Sequence, residues 1–293
     1  MRKPITVGIW GAGVVGGATG KLFEMLAPEK VRVLYYDKFK KTNATKEQVA
    51  KESDFIFICL PTPMKVTGAI SLDYLYSAFA ELRAMNLSYG KEIIIRSTSV
   101  SGSSDYIASI YSEFNISFMP EFLTEKNALH DIIHTTRVVI GAHNDRSYAL
   151  LEDLFRCAYE DNVEYIRMTR SEAETYKYVC NVMLAMSVLV ANEIYLICDA
   201  IGVDYQNIEP YLKYDPRISS FTKVPGHDGD LGIGGKCFPK DLNAFIHLAE
   251  SKGYVPNILR AGNELNNRIR LHKDWLEIPG AVDSNRKFGG GNE

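Results

Sequence analysis

Near its start the chain reads Ile5-Thr-Val-Gly-Ile-Trp10-Gly11-Ala-Gly13-Val-Val-Gly16-Gly17, and this stretch decides its fold. The run from Ile5 to Trp10 is typical of a short buried strand, and a helix is predicted from Ala18 to Leu26. Between them the glycines follow the pattern G-x-G-x-x-G. Gly11 would make the turn, Gly13 would let a pyrophosphate approach the backbone, and Gly16 would let the helix pack against the strand. The pattern predicts a dinucleotide-binding turn.

A second predicted strand, from Val31 to Tyr36, ends at Asp37, which stands 21 positions after Gly16. This is close to the spacing of the dinucleotide fingerprint. The helix N-terminus, with Val14 and Val15, would receive the phosphate charge. Asp37 would accept hydrogen bonds from both ribose hydroxyls and repel a 2′-phosphate, which favours NAD over NADP. The alternative is a Gly-rich turn that binds nothing.

Further apolar runs predict a parallel sheet whose two faces are covered by helices. They span residues 54–60, 92–96, 116–119 and 137–140. Ligands of such sheets bind beyond the carboxyl ends of the strands. The residues that follow these runs are Pro61, Thr62, Thr98, Glu121, Phe122, Leu123 and Glu125. Any one of them could simply be a turn former, so their collection at one edge carries the prediction of a site.

A long helix is predicted from Ser171, where Ser171 and Glu174 match a capping box, to Ala200, where Gly202 stops it. At 1.5 Å per residue it would be about 45 Å long, which suggests a bridging helix shared between domains. Lys177 and Asn181 are four positions apart and share one face. They would be functional groups or, as the alternative, part of an exposed polar stripe.

A single cysteine stands in the turn Gly232-Ile-Gly234-Gly-Lys236-Cys237-Phe-Pro-Lys240-Asp241. A helix is predicted to begin at Asp241, so Cys237 would lie just before a helix N-terminus. Lys236 and Lys240 flank it, and both features favour the nucleophilic thiolate. The alternative is a small buried thiol in a tight turn.

Composition excludes several classes of protein. Lys and Arg number 33 and Asp and Glu 36, a net charge of −3 with no basic run, so no nucleic-acid partner is expected. The apolar stretches are strand-sized or interrupted by Asn and Glu, so no membrane span is expected. The five cysteines are widely spread without a CxxC pair, so neither a metal site nor a disulfide framework is indicated, and a cytoplasmic location fits best. The N-terminus lacks the pattern of a cleaved signal peptide.

Five of these segments, taken in order, resemble the UDP-glucose/GDP-mannose dehydrogenase family. They are the Gly-rich turn, Pro61-Thr-Pro, Ser97-Thr-Ser, Pro120-Glu-Phe-Leu-Thr-Glu125, and the cysteine loop together with the Lys177/Asn181 helix. The Cys-Phe-Pro-Lys-Asp form is most similar to the members that oxidise UDP-glucose. Departures are Ser101 and Ser103 in place of Pro and Thr, Thr124 and Lys126 beside Glu125, and Ser219 in place of Gly after Arg217.

The resemblance implies a four-electron oxidation of a sugar primary alcohol to a carboxylate with two NAD. It implies that Cys237 is the nucleophile and that Lys177 and Asn181 stabilise the oxyanion. Glu125 or Asp241, with Thr98, would position and activate the hydrolytic water. The substrate would be a nucleotide sugar, UDP-glucose being favoured. Its implied contacts are Glu121, Phe122, Leu123, Lys177, Asn181, Arg217 and Gly234.

The resemblance implies an α/β fold in which a Rossmann-type NAD-binding domain (1–170) precedes an all-helical central domain (171–278). The Gly-rich composition of the C-terminal stretch predicts a disordered tail (279–293). Family members continue into a second Rossmann-like domain that holds much of the substrate nucleotide, and these 293 residues stop where it would begin. Weak binding of UDP-glucose by these residues alone is therefore expected, and a separate chain is a candidate source of that domain. Apolar helix faces predict a homodimer.

Two alternatives remain open from the sequence. One is a two-electron dehydrogenase of the 6-phosphogluconate or 3-hydroxy-acid type, which shares the layout and the bridging-helix lysine but needs no cysteine. The other is a non-catalytic remnant that binds NAD or pairs with a partner.

Overall fold

A computed structural model describes residues 4–159, 162–218 and 221–283. The chain divides into two compact units. Unit 1 comprises Met1–Thr62 and Leu72–Lys177, and unit 2 comprises Pro63–Ser71 and Tyr178–Glu293. The division falls seven residues after the boundary predicted between residues 170 and 171. The short segment Pro63–Ser71 groups with unit 2 through backbone hydrogen bonds that join Met64 to Ala281 and Asp283.

Strands and helices alternate along unit 1. They are β1 (Ile5–Trp10), α1 (Val14–Leu26), β2 (Val31–Tyr36), α2 (Lys46–Glu52), β3 (Phe55–Ile58), α3 (Asp73–Ala84), β4 (Lys91–Ile95), α4 (Ser103–Ile110), β5 (Phe114–Phe118), α5 (Ala128–Ile133), β6 (Arg137–Gly141), α6 (Asp145–Arg156), β7 (Glu164–Met168) and the start of α7 (Arg170–Ala200).

The seven strands form one sheet in the order β2-β1-β3-β4-β5-β6-β7. All neighbours are parallel except β5 and β6, which meet in antiparallel fashion at Phe118 and Gly141. The predicted α/β fold with a Rossmann-type sheet is confirmed, but the sheet is mostly rather than wholly parallel. An apolar run predicts a strand and leaves its direction open, which is why this step was missed.

Alternate residues of each central strand enter two different apolar layers, as the pleat of a strand requires. On one face Phe57 packs with Phe155, their ring centroids 6.1 Å apart. On the other face Ile56 and Ile58 pack with Phe79 of α3. Because both faces are covered, the central strands are fixed, and so are the positions at which their carboxyl ends emerge.

The first turn of α7 is capped differently from the prediction. Thr169 and Glu172 form the reciprocal bonds of a capping box: the Thr169 N–H donates to Glu172 Oε2 at 2.8 Å and the Glu172 N–H to Thr169 Oγ1 at 3.2 Å. The predicted pair, Ser171 and Glu174, is therefore wrong. Glu174 is fully buried and binds groups elsewhere in unit 1, so it is not available as a capping residue.

The regular elements of unit 2 among the described residues are helical. After α7 come 3₁₀ turns at Tyr205–Asn207 and Glu209–Tyr214, then α8 (Phe238–Ser251), α9 (Asn257–Ile269) and a 3₁₀ turn at Asp274–Leu276. The continuous helix predicted from Ile258 to Leu276 is interrupted, because Arg270 is extended, with φ −78° and ψ 121°. The core of these helices includes Leu189, Leu242 and Leu265.

The predicted tail begins with five residues, 279–283, that the structure describes. Ala281 is buried and Val282 forms a bridge with Met64. The rest of that prediction concerns residues 284–293, which lie outside the described residues.

By length and composition α7 could cross a membrane, since its most apolar stretch has a mean hydropathy of 1.7. The sequence interpretation that no segment is long and apolar enough was therefore too strict. Yet α7 carries four polar side chains that are each at least 92% buried, namely Glu174, Lys177, Asn181 and Asn192. Their hydrogen bonds go to protein groups, so this polar side of α7 is packed within the protein.

Candidate active site

The Gly-rich turn has the geometry that a dinucleotide requires. Gly11 has φ +102°, and a Cβ on Gly16 would lie 2.0 Å from the Gly11 carbonyl oxygen, so both positions need glycine. A Cβ on Gly13 would meet nothing within 4 Å, and no side chain caps α1, whose first residues are Val14 and Val15. Open space in front of uncapped N–H groups fits the pyrophosphate of NAD.

Asp37 lies against this turn. Its Oδ2 accepts a hydrogen bond from the Ala12 N–H at 2.9 Å, and its Oδ1 accepts from the N–H groups of Phe39 and Lys40. The Lys40 ammonium donates to the Ala12 carbonyl at 2.9 Å. The predicted ribose acceptor is therefore beside the glycines, and Lys40 brings a positive charge to the same place.

The ends of β3, β4 and β5 emerge at one edge of the sheet, because these three strands are parallel neighbours. The Leu60 N–H donates to Ser97 Oγ at 2.8 Å, which joins the segments after β3 and β4. Of the predicted residues, Thr62 is buried and Thr98 half-buried, whereas Pro61 and Glu125 are exposed.

The loop after β5 is tied to α7 by Lys177. Its Nζ lies 3.0 Å from Glu121 Oε1 and 2.5 Å from the Glu121 carbonyl oxygen, and both side chains are buried. Glu121 Oε2 accepts from the Leu123 N–H, and the Phe122 ring lies 5.5 Å from Lys177 Nζ. The structure thus brings the predicted substrate segment and the predicted lysine together, and an exposed stripe at Lys177 is ruled out.

Glu174 is a residue of this region that sequence reasoning missed. It accepts hydrogen bonds from Ser99 Oγ, from the Gly102 N–H, and from both the N–H and Oγ of Ser104, at 2.6 to 2.8 Å. Burial raises its pKa above the ordinary value. It fixes the loop that carries Thr98. The available signal was an acid on the apolar side of a helix, where an unpaired carboxylate would be costly.

In unit 2, Asp241 is buried and joins two predicted residues. Asn181 Nδ2 donates to its Oδ2 at 2.6 Å, and Lys240 Nζ lies 2.5 Å from its Oδ1. Asn181 is buried rather than part of an exposed stripe. The expectation that Lys240 adds positive charge beside Cys237 is corrected, because Lys240 is buried and its charge is compensated by Asp241.

Cys237 is the N-cap residue of α8, which begins at Phe238 instead of the predicted Asp241. The helix starts earlier because Pro239 fits its first turn, where no N–H is needed. The Asp241 N–H donates to the Cys237 carbonyl at 2.8 Å. Cys237 is exposed, so the alternative of a buried packing thiol is wrong.

Two asparagines hold the loop that leads to Cys237. The Gly232 N–H donates to Asn192 Oδ1 at 2.8 Å, and the Ile233 N–H donates to Asn266 Oδ1 at 2.7 Å. Gly232 has φ +73°, and a Cβ there would lie 2.2 Å from Asn266 Oδ1. Only glycine fits this position.

Arg270 completes the support of this loop. Its side chain is 2% exposed, and its Nη2 lies 2.6 Å from Asp228 Oδ2 and 3.2 Å from Asp274 Oδ1. Asp274 in turn accepts from the Gly235 N–H. A Cβ on Gly234 would lie 2.1 Å from Arg270 Nη2, so the predicted substrate-contact glycine is packed against this guanidinium. Sequence reasoning missed Arg270 because it stands more than 30 residues from the loop.

Arg217 is placed at the surface. Its side chain is 87% exposed and pairs with Asp215 at 2.6 Å. Ser219, the departure noted in this segment, lies outside the described residues.

Comparisons with known proteins agree with these motifs. Two models of one family match: the NAD binding domain of the UDP-glucose/GDP-mannose dehydrogenase family over residues 29–159, and the central domain of that family over residues 171–268. UDP-glucose 6-dehydrogenase TuaD of Bacillus subtilis is 32% identical over 242 residues, which are 79% of this chain and 50% of that protein. The chain spans about half the length of the curated relatives it matches.

Among solved structures, a UDP-glucose dehydrogenase of Pyrobaculum islandicum is similar with a TM-score of 0.80 and 26% identity, covering 91% of this chain and 68% of that one. A 3-hydroxyisobutyrate dehydrogenase of Mycobacterium tuberculosis is similar with a TM-score of 0.70 and 13% identity, covering 91% of this chain and 94% of that one. The latter is a similarity of fold alone.

Proposed function

The chain belongs to the UDP-glucose/GDP-mannose dehydrogenase family, and on that premise we propose that it oxidises the C6 alcohol of UDP-glucose to the carboxylate of UDP-glucuronate. The observation that supports this most is the exposed Cys237 at the N-terminus of α8, beside the buried group of Asn181, Lys240 and Asp241. A two-electron alcohol oxidation has no use for a nucleophile in that position.

NAD would be held by the Gly-rich turn, with its pyrophosphate on the N–H groups at the start of α1 and its ribose on Asp37. Bound NAD supplies the acceptor for each of the two hydrides that leave C6. Thr62, Thr98 and Glu125 follow the strands whose ends lie beside that turn, and we assign them to the nicotinamide half.

Cys237 would divide the second oxidation into two easier steps. Its thiolate attacks the C6 aldehyde and forms a carbon–sulfur bond, giving a hemithioacetal oxyanion. Loss of hydride from C6 then leaves a thioester. Water attacks the thioester carbon, the carbon–sulfur bond breaks, and the carboxylate is released with the cysteine restored. The helix N-terminus favours the anionic sulfur at the start and the end of this sequence.

Lys177 and Asn181 would stabilise the oxyanions that form at C6. Both donors are held before the reaction, Lys177 by Glu121 and Asn181 by Asp241, so little reorganisation is needed when charge develops. A preorganised donor of this kind is worth about 3–4 kcal/mol of barrier.

The hydrolytic water would be activated by Glu125 rather than by Asp241, with Thr98 as a further contact. Both oxygens of Asp241 are engaged, one by Lys240 and the other by Asn181. Glu125 is exposed and stands in the loop after β5. On this assignment Asp241 is a positioning residue for Asn181, and Glu125 is the general base.

The two-electron 3-hydroxy-acid type remains the second candidate, on the strength of the fold shared with the Mycobacterium tuberculosis enzyme. No residue described here favours it over the family chemistry. We also propose a homodimer in the cytoplasm as the working form.

The deciding experiment supplies purified protein with NAD and UDP-glucose and measures NADH absorbance and product mass. We expect two NADH per sugar and a product heavier by the exchange of CH2OH for COO⁻. Cys237→Ser should still bind NAD but should stop before the second oxidation. Cys157→Ser is the matched control, since Cys157 belongs to α6's C-terminus in unit 1. Two NADH per sugar from Cys237→Ser, or one NADH per sugar from the parent, would contradict the proposal.

A further inference from the structure

Unit 1 contains a small cavity beneath the loop that follows β5. Its volume is about 30 Å³. One wall is formed by Pro120 to Leu123, and another by Phe155 and Tyr159. Two arginines, Arg96 after β4 and Arg137 at the start of β6, also line it.

Both arginines are unusual in their lack of partners. Arg96 is 94% buried, and its Nε has no hydrogen-bond partner among the described residues; the same holds for Nε of Arg137. Within the part of the chain that the structure describes, neither guanidinium forms an ion pair. Arg137 is held instead by the ring of Phe122, 4.3 Å from its Cζ, and Arg96 Cζ lies 5.9 Å from the Phe155 ring.

Among the described residues, neither carboxylate that lines the cavity forms an ion pair with these arginines. Glu121 is paired with Lys177, and Asp131 Oδ2 accepts two hydrogen bonds from Thr124. Burial raises the pKa of the Cys59 thiol to about 12, although Arg96 opposes the shift, so this thiol stays neutral. Burial likewise raises the pKa of the Tyr159 hydroxyl, which donates to the Ile132 carbonyl.

Arg137 is half-buried, whereas Arg96 is 94% buried, and a buried cation without a counter-ion costs several kcal/mol. Arg96 therefore calls for a counter-ion. A water molecule would fill the cavity but would bring no charge. The cavity has room for a water molecule or a small ion beside the two arginines.

We propose that this cavity is a binding site for one small monovalent anion, chloride in ordinary buffers, bound by Arg96 and Arg137. Glu121, Phe122 and Leu123 belong both to its lining and to the predicted substrate segment, so the cavity adjoins the proposed active site. Because Pro120 to Leu123 form one wall, an ion there would also stabilise the segment that contacts Lys177.

The first test compares the thermal unfolding of the full chain in sodium chloride and in sodium gluconate at equal ionic strength. Gluconate is a much larger anion than chloride and serves as the comparison. Above the dissociation constant, the unfolding midpoint should rise by roughly 3 °C for each tenfold increase in chloride and should stay flat in gluconate. Crystals soaked in sodium bromide should show an anomalous peak beside Arg96. A midpoint independent of chloride, or a cavity without bromide, would overturn the proposal.

Variants assign the effect to these residues. Arg96→Met keeps the approximate side-chain volume and removes the charge, so the chloride dependence should disappear. Arg137→Met should weaken the chloride dependence of the unfolding midpoint, and this variant provides the test if Arg96→Met does not fold. Arg32→Met is the matched control, because Arg32 is an exposed arginine of unit 1 paired with Glu52. Equal chloride dependence in Arg96→Met and Arg32→Met would also refute the assignment.

Discussion

At the scale of single residues, the buried carboxylate of Glu174 connects α7 to the loop between β4 and α4. Four hydrogen bonds reach it, and burial nevertheless raises its pKa above the ordinary value of 4.5. A carboxyl group with a raised pKa in the folded state binds a proton more tightly when folded. Its contribution to stability is therefore fully present below about pH 4.5 and is lost as the pH rises through the raised value.

We predict that Glu174→Gln removes this pH-dependent part of the free energy of unfolding. The glutamine side chain has one acceptor oxygen instead of two for the N–H groups of Gly102 and Ser104. The variant should therefore be destabilised by about 1–3 kcal/mol at neutral pH. Denaturant unfolding from pH 4 to pH 8 measures both effects. Glu193→Gln, at an exposed position of the same helix, should leave the curve unchanged. Identical pH dependence in Glu174→Gln and the parent would refute the assignment.

Asp37 should set the cofactor preference. We predict that the parent binds NAD more tightly than NADP. Asp37→Asn should lower the ratio of the NADP dissociation constant to the NAD dissociation constant about tenfold or more, because the like charge facing the 2′-phosphate is removed. Asparagine keeps one side-chain oxygen for the N–H groups of Ala12, Phe39 and Lys40. Fluorescence titration of both cofactors gives the ratio. Tighter binding of NADP by the parent would mean that Lys40, beside the same turn, outweighs Asp37.

At the scale of elements, the cysteine loop depends on α9 and the segment after it. Arg270 is extended where α9 ends, which lets its guanidinium reach Asp228, Leu231 and Asp274 together. Arg270→Lys keeps the positive charge but loses the planar guanidinium, which can bind several acceptors at once. We predict that this variant lowers kcat at least tenfold with NAD affinity unchanged. The rate of Cys237 alkylation by iodoacetamide should change with it, which a general loss of stability would not produce.

The matched control for this prediction is Arg260→Lys, since Arg260 is a half-exposed arginine of α9 that lies 3.7 Å from Glu250. Normal turnover and normal alkylation in Arg270→Lys would show that the cysteine loop keeps its conformation without the Arg270 guanidinium.

Local sequence patterns predicted the helices and strands that are stabilised mainly by their own residues. The predictions failed where a residue far away in the sequence determines the structure. The strand from Val31 to Tyr36 was predicted to the residue, because apolar β-branched and aromatic side chains and a following turn suffice for it. The α7 cap was misassigned because two S/T-x-x-E matches overlap, and only the donors on the Ser99–Ser104 loop decide which glutamate remains for capping. The end of α9 was missed because Arg270 leaves the helix to form tertiary bonds.

For the candidate site, the sequence indicated the motif residues but not the residues that hold them in place. Cys237, Lys177 and Asn181 stand in short motifs that the sequence alone reveals, and the structure adds that both α7 residues are buried. The residues that hold the site's loops could not be identified from the sequence. Glu174, Asn192, Asn266 and Arg270 act on loops far away in the sequence, and a lone Asn or Arg on a helix has no local signature.

At the scale of the whole molecule, the two family models match the chain in two parts, residues 29–159 and 171–268. The groups proposed to bind NAD belong to unit 1, and the nucleophile with Asn181 and Asp241 belongs to unit 2. Cofactor binding and thioester chemistry should therefore be separable by mutation. Changes at Cys237 or Arg270 should leave NAD titrations unaltered, and changes at Asp37 should leave Cys237 alkylation unaltered.

The last prediction concerns self-association through α7. Five apolar residues on this helix are each more than 40% exposed and recur at intervals of three, four or seven, which places them on one face: Val179, Met183, Val190, Ile194 and Ile197. A continuous apolar stripe of this kind is unusual on a monomer. We predict that the 293-residue chain dimerises at micromolar concentration, at twice its 32.9 kDa. Light scattering should show the dimer for the parent and for Val66→Glu, an exposed apolar position off this helix, and a monomer for Met183→Glu/Ile197→Glu. A parent that scatters only as the 32.9 kDa species would refute dimerisation, and a double variant that remains dimeric would place the contact elsewhere.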